Sequence, residues 1–271
     1  MRYLVGCIRL LGVGLLIVAI LSVLMLFPFF QRETRGRWVK RLSSALMRVF
    51  GIRVSVRGQV PREEAAVCGI STNELGYMVC SNHISFVDIF VLNVVLPCRF
   101  VAKKEIASWP VFGFISRKVG TLFIDRSRKR AVIEIGEMMS SAIQEGTNVL
   151  FFPEGTTGGG RLLLPFYANL FEAAIRSKAD VLPITLRYTL NGETTELISY
   201  AGDISLFEVL KRILFTPGLG VEVTVLDPIS SADQTRQVVC AKVSAQMANA
   251  LGVPDATAQR EEERKARLAS L

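Results

Sequence analysis

An apolar run near the amino terminus limits which folds this sequence can adopt. From Leu10 to Phe30 no residue carries a charge, and that length suffices for a helix to cross a bilayer core of roughly 30 Å. A cleaved signal peptide would have an apolar region of about 7–15 residues before a small-residue cleavage site, whereas this run ends in Phe-Pro-Phe-Phe at 27–30. Residues 1–31 are therefore predicted to be a retained membrane anchor. It is a transmembrane helix or, if Pro28 ends it at the membrane surface, a half-inserted one.

The cations on either side of this run predict its orientation. Those that follow it directly are Arg32, Arg35, Arg37, Lys40 and Arg41. Only Arg2, Arg9 and the terminal amine precede it. Because positive charges concentrate on the cytoplasmic side of a membrane protein, the chain after residue 31 is expected in the cytoplasm, at a bacterial inner membrane.

Residues 32–50 are predicted to form a basic amphipathic helix. Its apolar side chains recur at helical spacing, at Trp38, Leu42, Ala45, Leu46 and Val49. Such a helix can lie on anionic lipid headgroups, or it can pack its apolar face on a protein domain with its charges in water. The pattern alone favours neither interpretation.

The chain has 32 Lys and Arg residues against 24 Asp and Glu residues, a formal charge of +8. That excess fits nucleic acid, phosphate-bearing substrates or an anionic membrane as a partner. The basic residues cluster after the apolar run and near 126–130, without the interleaved aromatic side chains of a nucleic-acid platform. An anionic membrane is therefore the expected partner, and nucleic acid is not.

Metal and disulfide chemistry are not expected. The five cysteines, at positions 7, 68, 80, 98 and 240, form no CxxC pair, and His83 is the only histidine in the chain. Reduced thiols fit a cytoplasmic location. The sequence therefore predicts neither a metal ion nor a bound cofactor.

After residue 50, β-branched runs alternate with helical patterns. The predicted strands are Ile52–Val60, Met78–Ser81, Arg99–Ala102, Thr121–Ile124, Asn148–Phe152, Val181–Leu186 and Val221–Leu226. The predicted helices are Phe86–Leu96, Ile106–Lys118, Arg128–Glu145, Phe166–Lys178, Leu206–Leu214 and Ala232–Leu251. This alternation predicts one α/β domain over residues 51–253, a mixed, largely parallel sheet flanked by helices. Residues 254–271 carry four acids and four bases and are predicted to be a solvated helix or a frayed tail.

Polar side chains stand at the ends of several predicted strands. His83 and Asp88 follow one of them, and a carboxylate that accepts the Nδ1 proton of an imidazole leaves Nε2 free as a general base. The spacing alone is common, and by itself it favours a buried or surface histidine without a catalytic role. Glu154 stands at a Pro-Gly bend after another strand, and Arg126 follows a third, where its guanidinium suits phosphate oxygens. Pro183, inside a fourth strand, indicates a sheet edge or a bulge.

Four segments, in this order, resemble the motifs of the glycerolipid acyltransferase family. They are Asn82-His83-x4-Asp88, Gly120-x2-Phe123-Ile124-x-Arg126, Phe152-Pro153-Glu154-Gly155-Thr156 and Val181-x-Pro183-Ile184, within residues 75–190. The resemblance implies that family's α/β fold. It also implies transfer of an acyl group from acyl-CoA or acyl-carrier protein to the free hydroxyl of a lysolipid.

The resemblance assigns roles to the matched residues as well. His83 would deprotonate the acceptor hydroxyl, Asp88 would hold its imidazole, and the alcohol would attack the thioester directly, without an acyl-enzyme. Contacts with the substrate are then expected from Asn82, Arg126, Glu154, Gly155, Thr156, Thr157 and Arg161. Arg126 would hold the phosphate of the acceptor.

One position departs from the family pattern. Members that form phosphatidate usually have an Arg after Glu-Gly-Thr, but here Thr157 stands in its place, and a hydroxyl cannot replace a guanidinium fork. Either Arg161 folds back through the glycines at 158–160, or the acceptor has another head group. The expected acceptor is 1-acylglycerol-3-phosphate, and the alternative is a lyso-ornithine lipid or another lysophospholipid.

Other classes fit less well. The segment from Gly155 to Leu162 lacks the Lys and the Ser or Thr of a phosphate-binding P-loop. The Gly-x-Ser-x-Gly elbow of a serine hydrolase does not occur. A membrane protein that keeps the fold without catalysis is the remaining alternative.

Overall fold

The computed structural model of the protein describes residues 2–62, 67–71, 74–125, 127–128 and 130–260. Arg126, which the sequence predicts to hold a phosphate, lies outside the described residues. Residues 261–271 of the predicted tail lie outside them too.

Within the described residues, eight strands form one sheet. They are β1 (Arg53–Arg57), β2 (Met78–Ser81), β3 (Arg99–Lys103), β4 (Leu122–Ile124), β5 (Val149–Phe151), β6 (Val181–Leu190), β7 (Glu193–Thr194) and β8 (Leu219–Val225). Their order is β1-β8-β6-β2-β5-β3-β4, with β7 paired to β6. The strands from β6 to β4 are parallel, whereas β8 is antiparallel to β6 and β1 runs with β8. The predicted mixed, largely parallel sheet is confirmed.

Helices cover both faces of this sheet. They are α1 (Arg2–Met25), α2 (Arg32–Phe50), α3 (Asp88–Val95), α4 (Phe112–Lys118), α5 (Ala131–Gln144), α6 (Glu172–Ser177), α7 (Leu206–Phe215) and α8 (Arg236–Leu251). One apolar core joins the sheet to α1, α2, α3 and α7, and a second joins the other face to α5, α6 and α8. Along β2, Val79 points into the first core and its neighbours Met78 and Cys80 into the second, as the alternation of side chains along a strand requires.

The loops after β2 and β5 meet at one edge of the sheet. β2 lies between β5 and β6, with Cys80 opposite Phe151 on one side and Pro183 on the other. Because parallel strands direct their carboxyl ends to the same edge, His83 and Glu154 come close together there.

β6 is an interior strand, so Pro183 does not mark a sheet edge. Ile184 pairs with Val225 and Val181 pairs with Ile229, which leaves one extra residue on the β8 side between the two pairs. Pro183 falls at this interruption, where no ladder hydrogen bond from its missing N–H is required. It therefore stands at a bulge, the second of the two predicted alternatives.

Two predicted helices divide in the structure. The segment Ile106–Lys118 is a 3₁₀ turn, Lys104–Ser108, followed by α4, because Pro110 has no N–H with which to continue a helix. The segment Phe166–Lys178 also begins with a 3₁₀ turn, Ala168–Phe171, before the short α6.

The inner side of α1 is attached to the domain. The Arg9 guanidinium donates to backbone carbonyls at the end of α7, with 3.2 Å to the carbonyl of Leu214. Gly6 lies so close to the ring of Phe215 that a side chain at this position would collide with it. Further along, Leu24 packs in a cluster that includes α4 side chains.

The outer side of α1 is apolar and exposed. Its large side chains that are more than half exposed are Tyr3, Leu4, Ile8, Leu10, Leu11, Leu15, Val18 and Met25. Among the described residues, α1 is the one helix long and apolar enough to cross a bilayer, a test that signal sequences also pass. One face of the helix is thus available to lipid.

The apolar face of α2 packs on protein. Leu46, Met47 and Phe50 are buried in the first core, and Trp38 and Leu42 pack beside α1. This packing agrees with the second interpretation of the helix, in which the apolar face packs on the protein domain. Its cations line an open groove of about 450 Å³.

Asp255 and Thr257 attach the first part of the predicted tail to the domain, whereas Pro254 and residues 258–260 are exposed, and 256–260 are helical. The hydroxyl of Ser244 donates to Asp255 at 2.7 Å, and the Thr257 hydroxyl accepts from the N–H of Phe166 at 3.0 Å. A count of acids and bases predicts solvated side chains here, because it cannot show which polar groups form hydrogen bonds within the protein.

Candidate active site

Asn82 attaches the loop after β2 to β6. Its side-chain amide donates to the Leu186 carbonyl at 3.0 Å, and its side-chain oxygen accepts from the Leu186 N–H at 2.8 Å. The two bonds extend the pairing that reaches Ser81 and Ile184 in the β2–β6 ladder. Asn82 is buried, and in this structure it fixes the loop.

The turn between β2 and α3 brings His83 and Asp88 together. His83 Nδ1 lies 2.8 Å from Asp88 Oδ2. The Asp88 side chain is fully buried, whereas the His83 side chain is 20 % exposed. Among the described residues, Nε2 of His83 has no hydrogen-bond partner. With its proton on Nδ1, the imidazole therefore presents Nε2 as a free proton acceptor.

Four donors converge on the carboxylate of Asp88. Oδ2 accepts from His83 and from the N–H groups of Ile84 at 2.7 Å and Ser85 at 2.9 Å. Oδ1 accepts from the hydroxyl of Tyr188 at 2.7 Å. Four hydrogen bonds hold this buried carboxylate in one orientation.

Phe152 lies flat against the imidazole. The ring centroids of His83 and Phe152 are 3.8 Å apart and their planes differ by 10°. This stacking supports the face of the imidazole and, with the bond to Asp88, restricts its rotation.

Glu154 joins the loop after β2 to the loop after β5. Its Oε1 accepts from the N–H of His83 at 2.7 Å, and its Oε2 accepts from the N–H of Leu164 at 3.0 Å. Burial raises the pKa of Glu154 to about 7, although the two N–H donors oppose the rise. The carboxylate thus lies behind the backbone of His83.

The other residues of this segment have different environments. Gly155 has a φ of +69°, which favours glycine, and Thr156 is exposed beside it. The Thr157 hydroxyl donates to the carbonyl of Tyr200, and Gly158 N–H donates to the His83 carbonyl at 2.8 Å. The segment therefore wraps around the backbone of His83.

Arg161 does not fold back over the glycines. Its side chain is 78 % exposed and forms an ion pair with Glu196, which is 44 % exposed. Glu196 also lies against Gly159, 2.9 Å from where a Cβ would stand. Both a cation and an anion are thus present at the outer end of the glycine segment.

The surroundings of Arg126 are partly described. On one side Asp125 pairs with Lys104 at 3.1 Å, and on the other Arg128 pairs with Glu134 at 2.6 Å. The role of Arg126 itself stays a prediction.

Two residues that contact the site received no role from the sequence. Phe152 fits a core position in a strand pattern, and nothing in the sequence separates that role from stacking on an imidazole. Tyr188 lies in the part of β6 beyond the predicted end at Leu186. Alternation gives a signal for it, because Ile184, Leu186 and Tyr188 share one face of the strand and one core.

Known proteins resemble this chain in sequence and fold. The acyltransferase family profile matches residues 52–187, half of the chain. The chain is 37 % identical over 206 residues to the 1-acyl-sn-glycerol-3-phosphate acyltransferase of Neisseria meningitidis serogroup B, covering 74 % of this chain and 76 % of the relative. It is 33 % identical over 204 residues to the lyso-ornithine lipid O-acyltransferase of Pseudomonas aeruginosa, covering 75 % and 72 %.

A solved structure has the same fold. The crystal structure of the 1-acyl-sn-glycerophosphate acyltransferase PlsC from Thermotoga maritima covers 93 % of this chain and 97 % of its own, with a TM-score of 0.69 at 19 % identity. The matched profile spans the segment that carries the His83–Asp88 pair, Glu154 and β6 up to Arg187. On the four motifs, the fold and these matches, the chain belongs to the glycerolipid acyltransferase family.

Proposed function

We propose that this acyltransferase moves a fatty acyl group from acyl-CoA or acyl-carrier protein to the free hydroxyl of 1-acylglycerol-3-phosphate, forming phosphatidate. The observation that carries the proposal is the 2.8 Å contact between His83 Nδ1 and Asp88 Oδ2, with Nε2 unpartnered among the described residues. A relative of that activity at 37 % identity supports the choice of acceptor.

In the proposed mechanism, Nε2 of His83 takes the proton of the acceptor hydroxyl. The resulting oxygen nucleophile attacks the thioester carbonyl carbon, a C–O bond forms, and the C–S bond breaks. The imidazolium then returns its proton to the departing thiolate. Asp88 stays ionised throughout and stabilises the imidazolium, so neither an acyl-enzyme nor a metal ion is needed.

The contacts with substrate divide into two groups in this proposal. Asn82 and Glu154, both buried, act on the loop that carries the base, which revises their expected contact with the acceptor. Thr156 and Arg161 are exposed and can reach the head group, as Arg126 is proposed to do.

Membrane association is proposed through the exposed apolar face of α1, with the domain on the cytoplasmic side.

A lyso-ornithine lipid is the second candidate acceptor, and a specific observation favours it. The Thr157 hydroxyl is engaged with the Tyr200 carbonyl, and the neighbouring cation Arg161 is paired with Glu196. An ornithine head group has both a carboxylate and an ammonium, which match this pair of opposite charges better than a phosphate does. The relative with that activity supports this candidate at 33 % identity.

The test is a lysolipid panel with membranes that contain the full-length protein. Labelled acyl-CoA or acyl-carrier protein is offered with each lysolipid, and the labelled product is identified. Label in phosphatidate supports the first acceptor, and label in ornithine lipid alone supports the second. His83→Ala should lower the rate by about 10²–10⁴ with unchanged membrane content of the protein, since a general base is lost. Turnover near the wild-type rate in that variant would remove His83 from the mechanism.

A charge substitution separates the two acceptors. If Glu196 reads an ammonium, Glu196→Gln should lower kcat/KM for lyso-ornithine lipid by about 10-fold relative to 1-acylglycerol-3-phosphate, as loss of one charged hydrogen bond does. Glu193→Gln, an exposed change on β7, is the matched control. An unchanged ratio of the two kcat/KM values in Glu196→Gln would show that Glu196 does not bind the ammonium of the head group.

A further inference from the structure

Tyr188 is a buried phenol that touches the proposed catalytic pair from behind. It is 1 % exposed, within the interior strand β6, and its hydroxyl donates to Asp88 Oδ1 at 2.7 Å. None of the four sequence motifs includes it.

The two oxygens of Asp88 have different partners. Oδ2 already serves His83 and two backbone N–H groups, so these donors cannot also stabilise Oδ1. At Oδ1 the Tyr188 hydroxyl is the one donor that the described residues supply. Without it, one oxygen of a fully buried carboxylate would have no hydrogen bond, which is costly in a protein interior.

We propose that Tyr188 is a positioning residue of the reaction, which keeps Asp88 ionised and turned so that Oδ2 faces His83. The inference rests on the proposed function of the His83–Asp88 pair. It adds a third member to that pair, contributed by β6 and acting on the base only through Asp88.

The phenol suits this role chemically. Burial and the adjacent charge of Asp88 raise its pKa well above the ordinary value, so it stays a neutral donor wherever the enzyme works. Its hydrogen bond stabilises the carboxylate anion and thereby lowers the affinity of the His83–Asp88 pair for a proton. Removing it should therefore raise the pH at which the pair takes up a proton.

Few other ionisable groups act on this contact. Opposite Tyr188 on β8 is Val221, and the buried α3 side chains Val91 and Leu92 in the same core are apolar. Among the described residues, Glu154 also interacts electrostatically with Asp88. Its own pKa of about 7 means that it contributes to the acid side of a pH profile and has to be controlled.

The experiment compares Tyr188→Phe with the wild type in the full-length protein. We expect kcat to fall between about 10-fold and about 100-fold, the range for one hydrogen bond to a charged group, with little change in KM for either substrate. The acid limb of the kcat–pH profile should move to higher pH. The matched control is Tyr77→Phe, which removes the hydroxyl of another tyrosine in the same core and should leave both quantities unchanged.

Two further variants strengthen the test, and the first of them keeps the inference testable if Tyr188→Phe fails to fold. A 3-fluorotyrosine at position 188 fills nearly the same space and is a stronger donor, so the acid limb should move to lower pH. Repeating the comparison in Glu154→Gln removes the second titration, and the shift caused by Tyr188 should persist.

The outcomes separate the inference from the proposed function. If His83→Ala is inactive but the position-188 variants keep the wild-type kcat and acid limb, Tyr188 has no positioning role. His83 then remains the proposed general base. If kcat falls only with the folded fraction and the limb does not move, Tyr188 is merely structural. If His83→Ala retains activity, the proposed function and this inference fall together.

Discussion

At Glu154 a buried carboxylate accepts hydrogen bonds from two loops at once. A neutral amide could accept only one of these bonds, because its NH₂ group is a donor. The need for two acceptors therefore accounts for a carboxylate at this position, despite the cost of burying its charge. That cost makes folding depend on pH.

The pH dependence of stability should report on Glu154. Its pKa is about 7 in the folded protein against an ordinary value of 4.5, so the folded state retains a proton that the unfolded chain releases. The stability associated with that proton is complete below about pH 4.5 and is lost as the pH rises through about 7. Glu154→Gln should flatten this fall in thermal unfolding curves, and it should cost about 1–3 kcal/mol of unfolding free energy below that interval.

The control for this measurement is Glu105→Gln, an exposed change in the 3₁₀ turn before α4. It should keep the slope of the wild type. If Glu154→Gln also keeps that slope, another group carries the pH dependence.

Close backbone contacts set where α2 sits. Gly36 faces the carbonyl of Cys68 at a separation that leaves no room for a Cβ. This contact and the packing of Leu46 and Phe50 join α2 to the rest of the first core. A helix attached in this way is a part of the domain as well as a neighbour of α1.

Gly36→Ala should therefore destabilise the protein by about 1–3 kcal/mol, because the backbone of the opposing segment cannot move as a flexible side chain can. Gly136→Ala in α5 is the matched change, since no atom lies within 4 Å of its added Cβ. It should stabilise by about 0.5–1 kcal/mol through helix propensity. Chemical denaturation measures both, and equal effects of the two changes would refute the role of the Cys68 contact.

The local pattern of apolar residues predicted strands and helices well where a single periodicity dominates the segment. β2 is as predicted, and α7 differs by one residue, because an apolar strand and a clean helical period leave little choice. The prediction fails where a distant partner decides. Tyr188 is in β6 because β8 pairs with that part of the strand, and Asp255 is packed because Ser244 holds it. Neither partner is near in sequence.

The candidate site was predictable to the same degree. His83 and Asp88 are in contact because one short turn separates them. The contact of Glu154 with the His83 backbone depends instead on β2 lying beside β5. A carboxylate at a strand end suggests a ligand contact. Only the sheet order reveals that its partners are N–H groups of the protein itself.

Taken as a whole, the molecule presents lipid with one face of α1. The opposite face is occupied by α2, α4 and α7 along its length, as the contacts of Arg9 and Leu24 show. A helix covered in this way has only its outer side to offer to a bilayer.

Membrane association should therefore depend on that outer side. The double change Leu11→Glu and Leu15→Glu places charges at positions 67 % and 65 % exposed and should release the protein from phosphatidylglycerol vesicles in a flotation assay. The control is Ile133→Glu, at a position 54 % exposed on α5, across the sheet. Equal release by both changes would show that the surface is not specific to α1.

The 83–85 loop has little of the freedom that connections between strands and helices usually have. Its three N–H groups donate to two buried carboxylates, and two of its carbonyls accept from Gly158 and Tyr200, each at 2.8 Å. Amide hydrogens exchange with solvent only when such bonds open. Deuterium should therefore enter this loop as slowly as it enters the central strands. The loop and the sheet should then unfold as one cooperative unit. An inhibitor would therefore have to bind the loop in the conformation described here.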